Sequence, residues 1–172
     1  MDDLRTAIIT DFGNGYASFG NSELMGRIVG LLLCASEPMT VEQIAEALRV
    51  SKSPVNQICN RLEEVKLIRR AWVKGGRKYH YEIVDNVFLQ ASLNLSRLTE
   101  GNVQIAERNL QLVAERYKTA PEPEREALLI IAQRLLEMRE FHRKLIESYQ
   151  RFIEDWRSLR ARLPQAKQFL EA

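Results

Sequence analysis

Apolar side chains recur at helical spacing along most of the chain. Leu4, Ile8, Phe12 and Tyr16 fall four residues apart and predict a helix over 3–18, weakened by Gly13 and Gly15 and stopped near Gly20. Asn21 or Ser22 can cap a second helix that runs to about Ala35, before Glu37-Pro38 ends it. In Thr40-Val41-Glu42-Gln43 a Thr precedes a Gln by three residues, a capping box, so a third helix begins at Val41 with Ile44, Ala45 and Leu48 inward. After a short break at 50–52, Ser51 or Ser53 caps another helix. Pro54 sits in its first turn, where a missing N–H costs nothing. Val55, Cys59 and Leu62 form the buried stripe of that helix, with Ile58 and Val65 flanking.

Two β-prone runs, 68–73 and 78–83, flank Lys74-Gly75-Gly76-Arg77 and predict a hairpin with a basic tip. No glycine follows Gly101, so the second half should be long helix. Residues 86–118 are helical, but their seam changes phase. Phe88, Ala91, Leu95 and Leu98 are followed by Val103, Ala106, Leu110, Val113 and Tyr117, which predicts a kink or break near 99–102. Pro121-Glu122-Pro123 is a stiff connector. Beyond it Leu128, Ile131, Leu135, Met138, His142, Leu145, Tyr149, Phe152, Trp156, Leu159 and Leu163 alternate 3 and 4 apart, a coiled-coil seam that Pro164 ends or kinks. Such a stripe is too long to bury against a small domain. It calls for the 86–118 helix and a second chain as partners.

These elements make a mainly α protein. A short N-terminal helix, 1–20, is expected to pack on the dimerisation helices. A winged helix-turn-helix of three helices and a two-stranded wing spans 21–84, and a helical dimerisation region spans 85–172. Charge sharpens the picture. Of 172 residues with net charge +2, the segment 49–81 holds nine basic and two acidic side chains, net +7, while 1–48 is net −5 and 82–172 is neutral. A localised basic block on a helix-turn-helix is an anion-seeking surface. The outward face of the second helix of the motif reads Ser53, Asn56, Gln57, Asn60 and Arg61, side chains that reach base edges and phosphates. Asn56, Gln57 and Asn60 are assigned to the bases. Ser51, Lys52, Ser53 and Arg61 are assigned nearer the phosphates, and Lys74, Arg77 and Lys78 to a wing that reaches the minor groove. Dimerisation is assigned to Leu128, Ile131, Leu135, Met138, Leu145, Tyr149, Phe152 and Trp156.

Other chemistry is sparse. The longest apolar run, 28–35, is eight residues, where a membrane span needs about twenty. The N-terminus is acidic, so a cytoplasmic protein is expected. Cys34 and Cys59 read as buried thiols, not a disulfide. Two histidines and no Cys-x-x-Cys leave no zinc site, and no cofactor is expected. No nucleophile–base pair is visible: His80 reads as a sheet-face residue and His142 as a polar seam residue, so an enzyme is not expected.

Gly26-Arg27-Ile28-Val29-Gly30-Leu31-Leu32, the run from Glu37 to Leu48, Val50-Ser51-Lys52-Ser53 and the run from Arg61 to Arg70 resemble the winged-helix domain of MarR-type transcriptional regulators. The GbsR-like branch, whose members control osmoprotectant genes, is the most similar, notably at Ser51-Lys52 and at Trp72-Val73-Lys74-Gly75. The chain departs from that pattern at Ser53-Pro54, at Cys59 and at Lys66, where the family has glycine. Lys66 must therefore take a helix-ending conformation without glycine's freedom. The resemblance implies a homodimeric repressor on a pseudo-palindromic operator in double-stranded DNA. A winged helix that binds protein in a chromosome-organising or assembly complex is the alternative. It needs neither the Asn/Gln/Arg face nor a basic wing. The resemblance also suggests choline-like effectors. Phe141, Tyr149 and Trp156, with Glu147 or Asp155, are then either plain packing or a pocket for a quaternary ammonium ligand.

Overall fold

The computed structural model describes residues 2–73 and 78–171, so Lys74, Gly75, Gly76 and Arg77 at the wing tip lie outside the described residues. The chain divides into two compact units between Ala91 and Ser92. It is mainly helical, with one small sheet.

The first unit opens with α1 (Asp2–Ser18), which stays helical through Gly13 and Gly15 and ends before Gly20, at φ 76°. It packs on α2 (Glu23–Leu33) at very short range. A β-carbon on Gly26 would lie 2.2 Å from the Phe12 carbonyl oxygen, so only glycine permits this crossing. Ser22 holds the N-cap position of α2 but makes no side-chain cap bond. Within this unit the described packing of α1 is on α2.

A two-residue strand, β1 (Met39–Thr40), comes next and leads straight into α3 (Val41–Leu48). The capping box at Thr40 and Gln43 forms as the spacing predicts. The second helix of the motif is α4 (Lys52–Glu64), with Ser51, not Ser53, at the N-cap. The wing strands are β2 (Ile68–Ala71) and β3 (His80–Ile83). The expected two-stranded wing is in fact part of an antiparallel three-stranded sheet of order β1-β3-β2. Met39 pairs with Tyr81, and Arg69 with Glu82. Two residues are too few to show a period, so β1 had no sequence signal.

Both helices of the motif end alike. Arg49 after α3 and Lys66 after α4 are left-handed, at φ 55° and 57°. After α4 the Leu67 N–H donates to Leu62 O and the Lys66 N–H to Glu63 O. After α3 the Val50 N–H donates to Ala45 O and the Arg49 N–H to Glu46 O. This is the Schellman ending, here with basic residues where glycine is usual. The core beneath joins Ile28, Leu31, Leu32, Ile44, Val55, Cys59, Leu62, Ile68 and Tyr81. Desolvation first, and the Glu63 charge second, push the Cys59 thiol up to about 12, so it packs as a neutral group.

The second unit holds most of α5 (Val87–Thr119), α6 (Glu122–Arg160) and the short α7 (Ala166–Leu170). Asn102 meets His142 at 3.0 Å, Arg143 meets Glu107 at 2.7 Å and Arg116 meets Glu124 at 2.6 Å, so α5 and α6 run antiparallel. Pro121 caps α6 and Pro123 lies in its first turn.

The expected break at 99–102 does not occur; α5 is one continuous helix. Its inner seam runs through Leu93, Ser96, Thr99, Val103, Ala106, Leu110 and Val113 without a phase change, and Ser96 and Thr99 are buried. Small hydroxyls can be buried here because each bonds within its own helix, Thr99 Oγ1 to Leu95 O and Ser96 Oγ to Glu100. The residues that suggested a first seam, Phe88, Leu95 and Leu98, point outward. On α6 the predicted seam splits. Leu128 is buried, and Leu135, Met138, His142, Leu145, Tyr149 and Trp156 are half-buried, whereas Ile131, Phe152 and Leu159 are exposed. The helix ends at Arg160, short of Pro164, so Leu163 falls beyond it.

Candidate nucleic-acid interface

The buried stripe Val55, Cys59 and Leu62 fixes which way α4 faces, and leaves Ser53, Asn56, Gln57, Asn60 and Arg61 exposed together. The three amides share one side of the helix. Amides offer donor and acceptor at once, the pattern that reads base edges. The Ser51 hydroxyl makes no cap bond, so the first-turn N–H groups of α4 stay open to an anion.

The cations at the margins of this face are organised by a residue that the sequence reading passed over. Glu42, on the first turn of α3, takes Lys78 Nζ at 2.7 Å and Lys52 Nζ at 3.8 Å. One carboxylate therefore ties the start of α4 to the base of the wing. The Lys78 hydrogen bond, then a backbone N–H and the Lys52 charge, hold the Glu42 carboxyl down at about 2. Glu42, Lys52, Ser53, Asn56, Lys78 and Tyr79 line an open cleft of about 480 Å³ beside the amide face.

The basic block is not a field of free charges. Arg61 pairs with Glu64 at 3.0 Å, Arg69 with Glu82 at 2.7 Å and Arg70 with Glu63 at 2.9 Å. Arg70 also lies 4.4 Å above the Tyr79 ring, which joins the end of α4 to the wing strand. These exposed pairs are weak in water, so a phosphate can replace the carboxylate at Arg61 without a large penalty. Counting charges along the chain could not reveal the pairs at Arg69 and Arg70, whose acid partners the fold brings near, whereas Glu64 is a local i,i+3 partner of Arg61 on α4. Trp72 belongs to the predicted wing run and to the resemblance, and neither reading gave it a contact role. It is 89% exposed at the end of β2 and Tyr79 is 65% exposed opposite, which makes the base of the wing aromatic as well as basic. Of the predicted wing cations, Lys78 is placed against Glu42; Lys74 and Arg77 lie outside the described residues.

His80 bonds its Nδ1 to the Lys78 carbonyl and sits at a sheet position, as expected. The other predicted groups lie on α6. Phe141 is exposed and stands edge-on to His142, Tyr149 is half-buried, and the Trp156 indole N–H is buried without a partner. Glu147 is tied to Lys144. Because α6 is a single helix, Phe141 and Trp156 are about 22 Å apart along its axis, too far to enclose one small ligand within a chain. Among the described residues no three His, Cys, Asp or Glu side chains gather to hold a metal ion, and no helix is long and apolar enough to cross a membrane.

Comparison with known proteins agrees with this geometry. Residues 31–78, which run from α2 to the wing, match the family model described as MarR family. The chain is 28% identical over 86 residues to the putative HTH-type transcriptional regulator YvaV of Bacillus subtilis (strain 168), covering 50% of this chain and 48% of that protein. It is 24% identical over 81 residues to the HTH-type transcriptional repressor OpcR of the same organism, covering 47% and 44%. The matches thus span about half the length of these curated relatives. A solved structure described as a transcriptional regulator superposes with a TM-score of 0.60 at 22% identity, over 86% of this chain and 98% of the other, a likeness of fold.

Proposed function

We propose that the chain is a homodimeric transcriptional repressor that reads double-stranded DNA with α4 and clamps it with the wing. The exposed amide face of Asn56, Gln57 and Asn60 carries this reading. A helix that was merely solvated would have no need of three uncharged amides between cationic margins. In helix-turn-helix proteins the second helix enters the major groove. Here Lys52, Lys78 and Arg61 fall where phosphates would flank it. The relatives that carry regulator and repressor names support the same reading, and so does the matched family. The finer assignment to the GbsR-like branch rests on Ser51-Lys52 opening α4 and on Trp72-Val73 closing β2.

The dimer is part of the proposal. On α5, Phe88, Leu95, Leu98, Ile105 and Leu112 are exposed in a heptad-like stripe, and α6 adds Ile131, Phe152 and Leu159. A patch of this length needs a cover, and a second copy offers the same stripe under two-fold symmetry. Two winged units would then meet major grooves about 34–36 Å apart. Most of the seam first assigned to dimerisation, Leu128, Leu135, Met138, Leu145, Tyr149 and Trp156, is already largely covered within one chain. A quaternary ammonium effector would have to use Tyr149 and Trp156 without Phe141. Calorimetry with choline on wild type and Trp156→Leu tests it, and no heat at millimolar choline leaves the rings as packing.

The experiment for the whole reading is selection of DNA from a random pool, followed by binding of variants to the selected site. Gln57→Ala should lose about 1–3 kcal/mol of discrimination at one base pair. Lys52→Ala should weaken all sequences alike and lower the salt slope by about one. A pool that yields no preferred sequence would overturn sequence-specific binding.

A further inference from the structure

Glu42 differs from the other acids of the basic block in what it collects. Glu63, Glu64 and Glu82 each hold one arginine. Glu42 holds two ammonium groups on a single oxygen, Oε1: Lys78 from the base of the wing at 2.7 Å, and Lys52 from the first turn of α4 at 3.8 Å. Its own backbone N–H, in the first turn of α3, adds a third donor. Lysine ammonium groups and main-chain N–H groups are what proteins bring to a phosphate of the DNA backbone. Here the chain fills that anion site with a carboxylate of its own.

Its place on the molecule also suits a phosphate. In helix-turn-helix proteins the first helix of the motif crosses the backbone while the second lies in the groove. Glu42 stands in the first turn of that first helix, on the wall of the cleft that Ser53 and Asn56 of the amide face also line. An acid there opposes DNA in two ways. It engages cations that a phosphate needs, and once they leave it is a bare charge facing a polyanion. The fold has little need of these pairs. Both lysine side chains are more than half exposed, and exposed ion pairs contribute little to stability. Nor does Glu42 escape by taking up a proton, because the same partners hold its carboxyl down at about 2.

We propose that Glu42 is an affinity-setting residue, an internal rival of one DNA phosphate for Lys52 and Lys78, and that it lowers binding to duplexes of every sequence alike. The inference rests on the DNA-binding reading above. Toward DNA the three side chains then count as one positive charge, not two. Phosphate contacts carry no sequence information, so the rival trims only the sequence-independent part of the affinity and leaves the amide face to choose between sites. Counterion release sets the size of the effect. Log affinity falls with log salt by about 0.9 per phosphate, so one contact regained is worth about eightfold at about 0.1 M salt and almost nothing at about 1 M.

The test is binding of the full chain to the selected duplex and to a random duplex across a salt series, for wild type, Glu42→Gln, Glu42→Ala and Glu46→Gln. Both Glu42 variants should bind each duplex about eightfold more tightly at about 0.1 M salt, with a salt slope steeper by about one. The ratio between the two duplexes should stay within about twofold of wild type, since phosphate contacts do not read sequence. Glu46→Gln removes the same charge from an exposed position one turn further along α3, and should gain about twofold at most, because solvent and salt screen an exposed charge. In the Glu42→Gln background, Lys78→Ala should return the slope to its wild-type value. Thermal melts check that each variant folds. Weaker binding by the Glu42 variants would make the carboxylate a scaffold that positions the lysines, and would overturn the rivalry. So would a gain without a steeper slope, a gain confined to one duplex, or an equal gain in Glu46→Gln. A wild-type chain that binds neither duplex would overturn the DNA reading and this inference with it. A wild type that binds while the Glu42 variants gain nothing would overturn this inference alone.

Discussion

Replacing Lys66 by glycine should make the protein more stable. Lys66 is exposed, follows α4 and sits at φ 57° in a Schellman ending. For a residue with a β-carbon, the left-handed conformation costs about 1–2 kcal/mol. Glycine removes that strain but adds freedom to the unfolded chain, a loss of about 0.4–1 kcal/mol. The two hydrogen bonds of the ending are made by main-chain atoms and survive the change. The net expectation is a gain of about 0.5–1 kcal/mol, or roughly 2–4 °C per kcal/mol in melting temperature for a chain of this size. Removing a cation from a net +7 segment could also stabilise, by easing self-repulsion. Lys66→Ala separates the two causes, since it deletes the charge and keeps the strain. Urea unfolding of wild type, Lys66→Gly and Lys66→Ala should show a gain only in the glycine variant. An equal gain in both, or a loss in Lys66→Gly, would refute the argument from backbone strain.

Two further outcomes follow from the same geometry. Leu98→Glu or Ile105→Glu on the outer stripe of α5 should convert a dimer to a monomer in sedimentation and weaken operator binding with it; a dimer that persists would place the interface elsewhere. The Glu42 carboxyl is held at about 2, below its ordinary 4.5, so its contribution to holding Lys78 is complete above about 4.5 and is lost as pH falls toward 2. A carbon-13 titration of Glu42 should therefore show no midpoint near 4.5, and the Lys78→Ala variant should move the midpoint back up toward it.

Much of the local structure follows from residues within a few positions of one another. Thr40 and Gln43 make their capping box, Pro54 sits in the first turn of a helix it could not interrupt, and Lys66 ends one despite lacking glycine's freedom. The amide face of α4 was legible for the same reason, because a helix with Val55, Cys59 and Leu62 buried has no choice about where Asn56, Gln57 and Asn60 point. Other features depend on what the fold brings near. β1 exists only because β3 lies beside it. The face that α5 buries was decided by packing in its antiparallel pair with α6, which accepted Ser96 and Thr99 once their hydroxyls bonded within the helix, and turned Phe88, Leu95 and Leu98 outward. The partners of the basic block were hidden for a related reason. Glu42 is ten residues from Lys52 and thirty-six from Lys78 along the chain, and only the tertiary fold makes one carboxylate their common anchor. Hydrophobic period and capping are local properties of a chain. Which polar groups meet, and which apolar face stays bare, depend on distances that the folded chain alone creates.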